Sequence, residues 1–240
     1  MNELSLFTGA GGGILGTRLL GWKHLGYVEW NEPCQLLLRQ RIDDGILDEA
    51  PIFCDVRAFI REGYAASYQG MVDVITAGFP CQPFSVTGKG QGEDDPRNMW
   101  PATIECIRII RPRFALLENV PGLLAHRYIQ RIFGELAKSG YDAKWACLDA
   151  RTEGGPIKRE RVFIACTDKV HGEAGLGFIE NGPIAVLEGT GRQCPEFWLQ
   201  TPSADIGMGN GMADYLDRVE AIGNGQVPSV VRRAWEILST

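Results

Sequence analysis

A cysteine lies between prolines in Ala77-Gly78-Phe79-Pro80-Cys81-Gln82-Pro83-Phe84-Ser85, directly after the apolar run 72–76. Proline fixes its own φ and restricts the residue before it, so Cys81 sits in a constrained backbone at the carboxyl end of an expected strand. The next stretch, 86–96, carries Gly88, Gly90 and Gly92 around Lys89. It reads as a mobile loop beside a candidate nucleophile, the position of a lid. A thiol there is suited to covalent catalysis. The bland alternative is a buried turn cysteine acting as a small hydrophobe.

Three further stretches carry groups that can assist such a thiol. Leu116-Leu117-Glu118-Asn119-Val120-Pro121 ends an apolar run in a carboxylate. A carboxyl at an apolar strand end can hold its proton and donate a hydrogen bond; the alternative is a capping Glu-Asn pair before Pro121. Lys158-Arg159-Glu160-Arg161 leads into the run 162–166. In a strand, Arg159 and Arg161 share a face, and two guanidiniums suit a phosphate or a polarised base. An ion-paired sheet edge is the competing reading. Ala221-Ile222-Gly223-Asn224-Gly225-Gln226-Val227-Pro228 suggests a tight loop presenting the Asn224 amide, or else a plain turn between helices.

A cofactor signal comes from the N-terminus. Leu6-Phe7-Thr8-Gly9-Ala10-Gly11-Gly12-Gly13 is a strand running into a glycine turn and a helix, and glycines allow close approach of a ligand. Glu29, 20 residues past Gly9, ends the second expected strand, where it can bond ribose hydroxyls. Trp30 can stack on an adenine, and Asp55 can accept from its exocyclic amine. Together these residues fit an adenosine-containing cofactor; the glycines do not form GxGxxG, which disfavours a dinucleotide, and a tight turn beside an exposed carboxylate is the competing reading.

These residues need a sheet to present them. Runs 4–7, 27–30, 52–54, 72–76, 114–118, 143–148 and 162–166 read as strands, and 14–20, 33–41, 101–110 and 129–139 as helices between them. The alternation predicts an α/β fold with a mostly parallel, doubly wound sheet and ligands at the strands' carboxyl ends. Residues 1–166 are expected to form the catalytic domain, and the glycine-rich 167–212 a small loop-rich lobe. Residues 213–240, with helices at 213–221 and 228–238, complete the catalytic domain.

Composition limits the alternatives. The 240 residues are 45% hydrophobic, enough for a core of ordinary size. No stretch approaches 18 uncharged apolar residues, and 1–7 reads as a strand rather than a signal peptide, so a cytoplasmic protein is expected. Seven cysteines without CxxC spacing argue against disulfides and zinc, and no metal is expected. A net charge of −6 argues against bulk attraction to nucleic acid, so binding there would need a focused groove rather than a broad basic surface.

Taken in order, the five motifs resemble the DNA cytosine-5 methyltransferases across about residues 4–166 and 205–232. The resemblance implies a Rossmann-like, S-adenosylmethionine-dependent methyltransferase fold whose 167–212 region is the target-recognition lobe. It implies methyl transfer from S-adenosyl-L-methionine to C5 of a cytosine flipped from double-stranded DNA. The enzyme is expected to be a monomer, cytoplasmic, bacterial or phage-encoded, of the restriction-modification type. By position, Cys81 matches the nucleophile, Glu118 the acid on the base, and Arg159 and Arg161 the basic pair. Phe7, Gly9, Gly11, Gly12, Glu29, Trp30, Asp55, Val56, Pro80, Trp100 and Asn224 match the cofactor pocket. Gln82, Ser85, Lys89, Arg97 and Arg192 are expected to touch DNA, Arg192 in the major groove.

Ile157 stands where the family usually has Gln, Ser5 where it often has Asp, and the recognition region is short. Three other readings compete: an RNA cytosine-5 methyltransferase on the same fold, a non-catalytic DNA-binding relative, and a nucleotide-dependent dehydrogenase. The second conflicts with the presence of Cys81 and Glu118. The third leaves Cys81 and the arginine pair unexplained.

Overall fold

The seven apolar runs all enter one sheet, in the order β3-β2-β1-β4-β5-β7-β6. The computed structural model describes residues 1–80, 97–155, 158–170 and 225–239. In chain order the elements are β1 Asn2–Leu6, α1 Gly12–Arg18, β2 Lys23–Val28, α2 Glu32–Asp43, β3 Ile52–Phe53, α3 Val56–Arg61, α4 Tyr64–Ser67 and β4 Val74–Ala77. There follow α5 Trp100–Ile110, β5 Phe114–Asn119, α6 Gly122–Ala125, α7 Tyr128–Lys138, β6 Tyr141–Asp149, a 3-10 turn Ala150–Glu153, β7 Glu160–Asp168 and α8 Pro228–Leu238. The expected helix 213–221 lies outside the described residues, as do the loop 86–96 and most of the recognition region.

β1 to β5 are mutually parallel where they pair, whereas β7 is antiparallel to both β5 and β6. The reversal matters for function. The start of β7 lies at the same edge as the carboxyl ends of the parallel strands, so Arg161 and Glu118 meet there. Hydrophobic runs reveal a strand but not its direction, so the sequence could not show this.

Helices cover both faces, as alternation along β5 requires. Ala115 and Leu117 face the main core with Trp100, Ile104, Ile107, Tyr128 and Ile132. Leu116 faces the other way, with Phe163, Ala165 and the α8 residues Val230, Val231 and Ala234. α8 also lies against α1, so closely that a Cβ on Gly16 would stand 2.5 Å from the Pro228 carbonyl oxygen. Three short helices, α3, α4 and α6, escaped the sequence reading because four to six residues show no apolar period. α3 nevertheless carries a start signal: the Asp55 side chain caps it, accepting from the Arg57 N–H at 2.7 Å.

Candidate active site

β1, β2, β4 and β5 end in register: Leu6 pairs with Val28 and Ala77, and Ala77 with Leu117. The residues just beyond therefore form one row: Phe7 to Gly9, Glu29 and Trp30, Gly78 to Pro80, and Glu118 with Asn119. This is the sheet edge where parallel α/β folds bind ligands.

At one end of the row is a charged cluster. Glu118 pairs with Phe163 across the ladder, and Arg161 lies two residues from Phe163, a diagonal neighbour on the same face. The Arg161 Nε contacts Glu118 Oε1 at 3.0 Å, with both side chains largely buried. The other carboxylate oxygen accepts from the Gln226 side-chain amide at 3.4 Å. Arg159 donates to the Gly225 carbonyl at 2.6 Å. Burial holds the Glu118 carboxyl above the ordinary carboxylate range, against the opposing pull of Arg161, the Gln226 amide and Arg159. Burial and the neighbouring Arg161 lower the Arg159 guanidinium from its usual value. A carboxyl raised by burial and oriented by fixed donors is suited to sharing or delivering a proton to a base.

The adjacent Asn119 is only 4% exposed, and its amide donates to the Phe79 carbonyl at 3.0 Å. It thereby pins the chain that runs from Gly78 towards Cys81. Cys81 itself, with Gln82, Ser85, Lys89, Ile157, Arg192 and Asn224, lies outside the described residues. Among the described cysteines, burial raises the thiols of Cys106, to about 12, and of Cys147 and Cys166. Such thiols are poor sources of thiolate.

At the other end of the row the glycine turn meets Glu29. Gly9 and Gly11 have φ of 58° and 86°, and Phe7, unusually for a bulky residue, has φ of 55°. The Glu29 carboxylate accepts from the backbone N–H of Gly9 at 2.5 Å and of Asn31 at 2.7 Å. It therefore fixes the turn, while Gly9 has open space where a side chain would stand. Trp30 is 76% exposed although the neighbouring Glu29 is buried. An exposed indole beside a fixed carboxylate and an open glycine turn fits the adenosine half of a cofactor. Val56 is buried at the start of α3, Pro80 is exposed at the row's edge, and Arg97 is exposed just before α5.

Three expected pocket residues have other work in the structure. Trp100 is fully buried, packs on Phe79 with centroids 5.5 Å apart, and donates its indole N–H to Glu135 at 2.6 Å. As placed it offers no surface to a ligand and shapes the site from behind. A Cβ on Gly12 would stand 2.1 Å from the Gln226 carbonyl oxygen, so this glycine is required by the approach of the chain entering α8. Asp55 has one oxygen engaged as the α3 cap. Gln226 was not singled out in the sequence, where it appears only as one polar residue in a glycine loop.

Comparison with known proteins bears on the family and the fold. The family described as C-5 cytosine-specific DNA methylase matches residues 1–184. The chain is 37% identical over 169 residues to the Type II methyltransferase M.NgoMIV of Neisseria gonorrhoeae, covering 68% of this chain and 51% of the relative. It is 32% identical to the Type II methyltransferase M.AplI of Arthrospira platensis, covering 67% and 44%. The chain thus spans about half the length of the curated relatives it matches. The solved structure of DNMT2 from Spodoptera frugiperda has a TM-score of 0.58 at 19% identity, covering 76% of this chain and 54% of that one, a likeness of fold.

Proposed function

Because the chain belongs to the C-5 cytosine-specific DNA methylase family, we propose that it methylates carbon 5 of cytosine in double-stranded DNA, using S-adenosyl-L-methionine and Cys81 as nucleophile. The observation that carries the reading is the Glu118–Arg161 pair at the mouth of the sheet, with Asn119 holding the chain that leads to Cys81.

In this reading Phe7, Gly9, Gly11, Glu29, Trp30, Asp55, Val56, Pro80 and Asn224 hold the cofactor, while Gly12 and Trp100 support the pocket through packing. When bound, S-adenosyl-L-methionine supplies an electrophilic methyl group on a sulfonium. Everything else is done by the chain. The Cys81 thiolate forms a bond to C6, which breaks the aromatic system and leaves an enamine-like, nucleophilic C5. Glu118 donates its proton, or a hydrogen bond, to N3, where negative charge would otherwise build. Arg161 keeps Glu118 oriented, and Arg159 steadies the neighbouring chain. C5 takes the methyl, whose bond to the sulfonium breaks to leave a neutral thioether; a base then removes the C5 proton, the electron pair re-forms the C5–C6 double bond, the thiolate leaves, and N3 returns its proton to Glu118. The target base must first leave the stack, at a cost of about a few kcal/mol.

Residues 1–166 and 213–240 act as the catalytic domain, and 167–212 read the DNA with Arg192. Gln82, Ser85, Lys89 and Arg97 contact the DNA. The test is transfer of a labelled methyl group to mixed-sequence duplex DNA and, in parallel, to tRNA. Label in 5-methylcytosine of the duplex is expected. Label confined to tRNA, or at another atom of the base, would overturn the proposal.

A further inference from the structure

We infer that Gln226 is a positioning residue for the catalytic acid: its side-chain amide donates to Glu118 and is wedged against the start of α1. The inference rests on the reading of Glu118 as the acid in cytosine methylation.

The case is one of occupied space. Three glycines from two separate turns are bare where Gln226 passes. A Cβ on Gly12 would stand 2.1 Å from the Gln226 carbonyl oxygen, and one on Gly13 2.1 Å from its Oε1. One on Gly78 would stand 2.7 Å from its Nε2. Real Cβ atoms do not approach so closely, so a larger residue at Gly13 or Gly78 would push the amide aside, and one at Gly12 would displace the Gln226 main chain. Gln226 fills the room of three missing side chains and spans from the α1 entry to Glu118. There Nε2 donates to Glu118 Oε2 at 3.4 Å, while Arg161 takes Oε1 at 3.0 Å. The preceding Gly225 carbonyl accepts from Arg159 at 2.6 Å, which anchors the backbone beside Gln226.

Arg161 and Gln226 orient the same carboxyl differently. The guanidinium attracts the ionised form through its charge. The amide carries no charge; its hydrogen bond orients the group and, being donated to the carboxylate, favours the ionised form less strongly than Arg161 does. Gln226 also packs against Gly12 and Gly13 at the start of α1, so a displacement there reaches Glu118 through Gln226.

The test is a carboxyl-carbon NMR titration of the full chain, with Glu118→Gln used to assign the signal. The amide donates to the carboxylate, so its loss in Gln226→Leu or Gln226→Asn should raise the Glu118 midpoint, by about half to one pH unit. Circular dichroism checks that each variant folds. Gly13→Ala, which does not touch Glu118, should raise the same midpoint because its methyl displaces the amide. The kcat for methyl transfer should fall about ten- to a hundredfold in Gln226→Leu, with cofactor affinity unchanged within about twofold. A Glu118 midpoint identical to wild type in both folded Gln226 variants would overturn the inference. The titration reads the Gln226–Glu118 link whatever the substrate, whereas failure of the wild type to methylate DNA would overturn the functional reading alone.

Discussion

Arg161→Ala removes the guanidinium 3.0 Å from Glu118, in a contact whose side chains are only 22% and 12% exposed. Breaking a buried pair costs about 3–5 kcal/mol when the survivor stays charged. Glu118 has an escape, because burial already holds its carboxyl above the ordinary range and Arg161 is the main opposing influence. Without Arg161 it takes up a proton instead. Its pKa then rises further, and each unit of that rise corresponds to about 1.4 kcal/mol of stability lost where the wild-type carboxyl is ionised. The sign follows from linkage. A carboxyl whose folded pKa is raised favours the folded state below its unfolded pKa, and that advantage is lost as pH rises through the folded pKa. The variant's folded pKa lies above the wild type's, so the difference between the two proteins should grow with pH between those values and shrink in mild acid. Urea denaturation at several pH values measures it, on wild type, Arg161→Ala, Glu118→Gln and the double variant. In the Glu118→Gln background, Arg161→Ala should cost under about 1 kcal/mol, because no buried acid is stranded. Equal costs in both backgrounds, or a cost that does not vary with pH, would refute the reasoning.

Two further outcomes follow from the same geometry. Trp30→Ala should weaken S-adenosylmethionine binding about tenfold by calorimetry without DNA, since stacking on a base contributes about 1–3 kcal/mol; unaltered affinity would show that the adenine lies elsewhere. Gly16→Ala should destabilise the protein by about 1–3 kcal/mol in chemical denaturation. Its methyl would stand 2.5 Å from the Pro228 carbonyl oxygen and 2.8 Å from the Val231 Cβ, and a neutral result would mean that α1 and α8 do not pack as described.

The sequence revealed the strands because a sheet buried on both faces needs near-continuous apolar runs. It also revealed Glu118 and Glu29, since each ends such a run. It could not reveal what depends on distant segments meeting. The direction of β7, which brings Arg161 to Glu118, is fixed by pairing with β5 and β6. The bareness of Gly12 reads as room for a ligand until α8 is seen to bring Gln226 against it. Asp55, aligned with a cofactor contact, caps a helix too short to show a period. Trp100 matched the pocket by position, but its ring turns into the core against Phe79 and Glu135.

The covalent role of Cys81 is the central claim, and a duplex carrying 5-fluorocytosine tests it most directly. Fluorine cannot be abstracted as a proton, so elimination stalls after methyl transfer and the protein remains bonded to C6. With S-adenosylmethionine present, a denaturing gel should show a protein–DNA adduct that maps to Cys81. Cys81→Ser should form none and should not methylate DNA, because a serine hydroxyl without a dedicated base is a poor nucleophile. An adduct at another cysteine, or methylation by Cys81→Ser near the wild-type rate, would contradict the account.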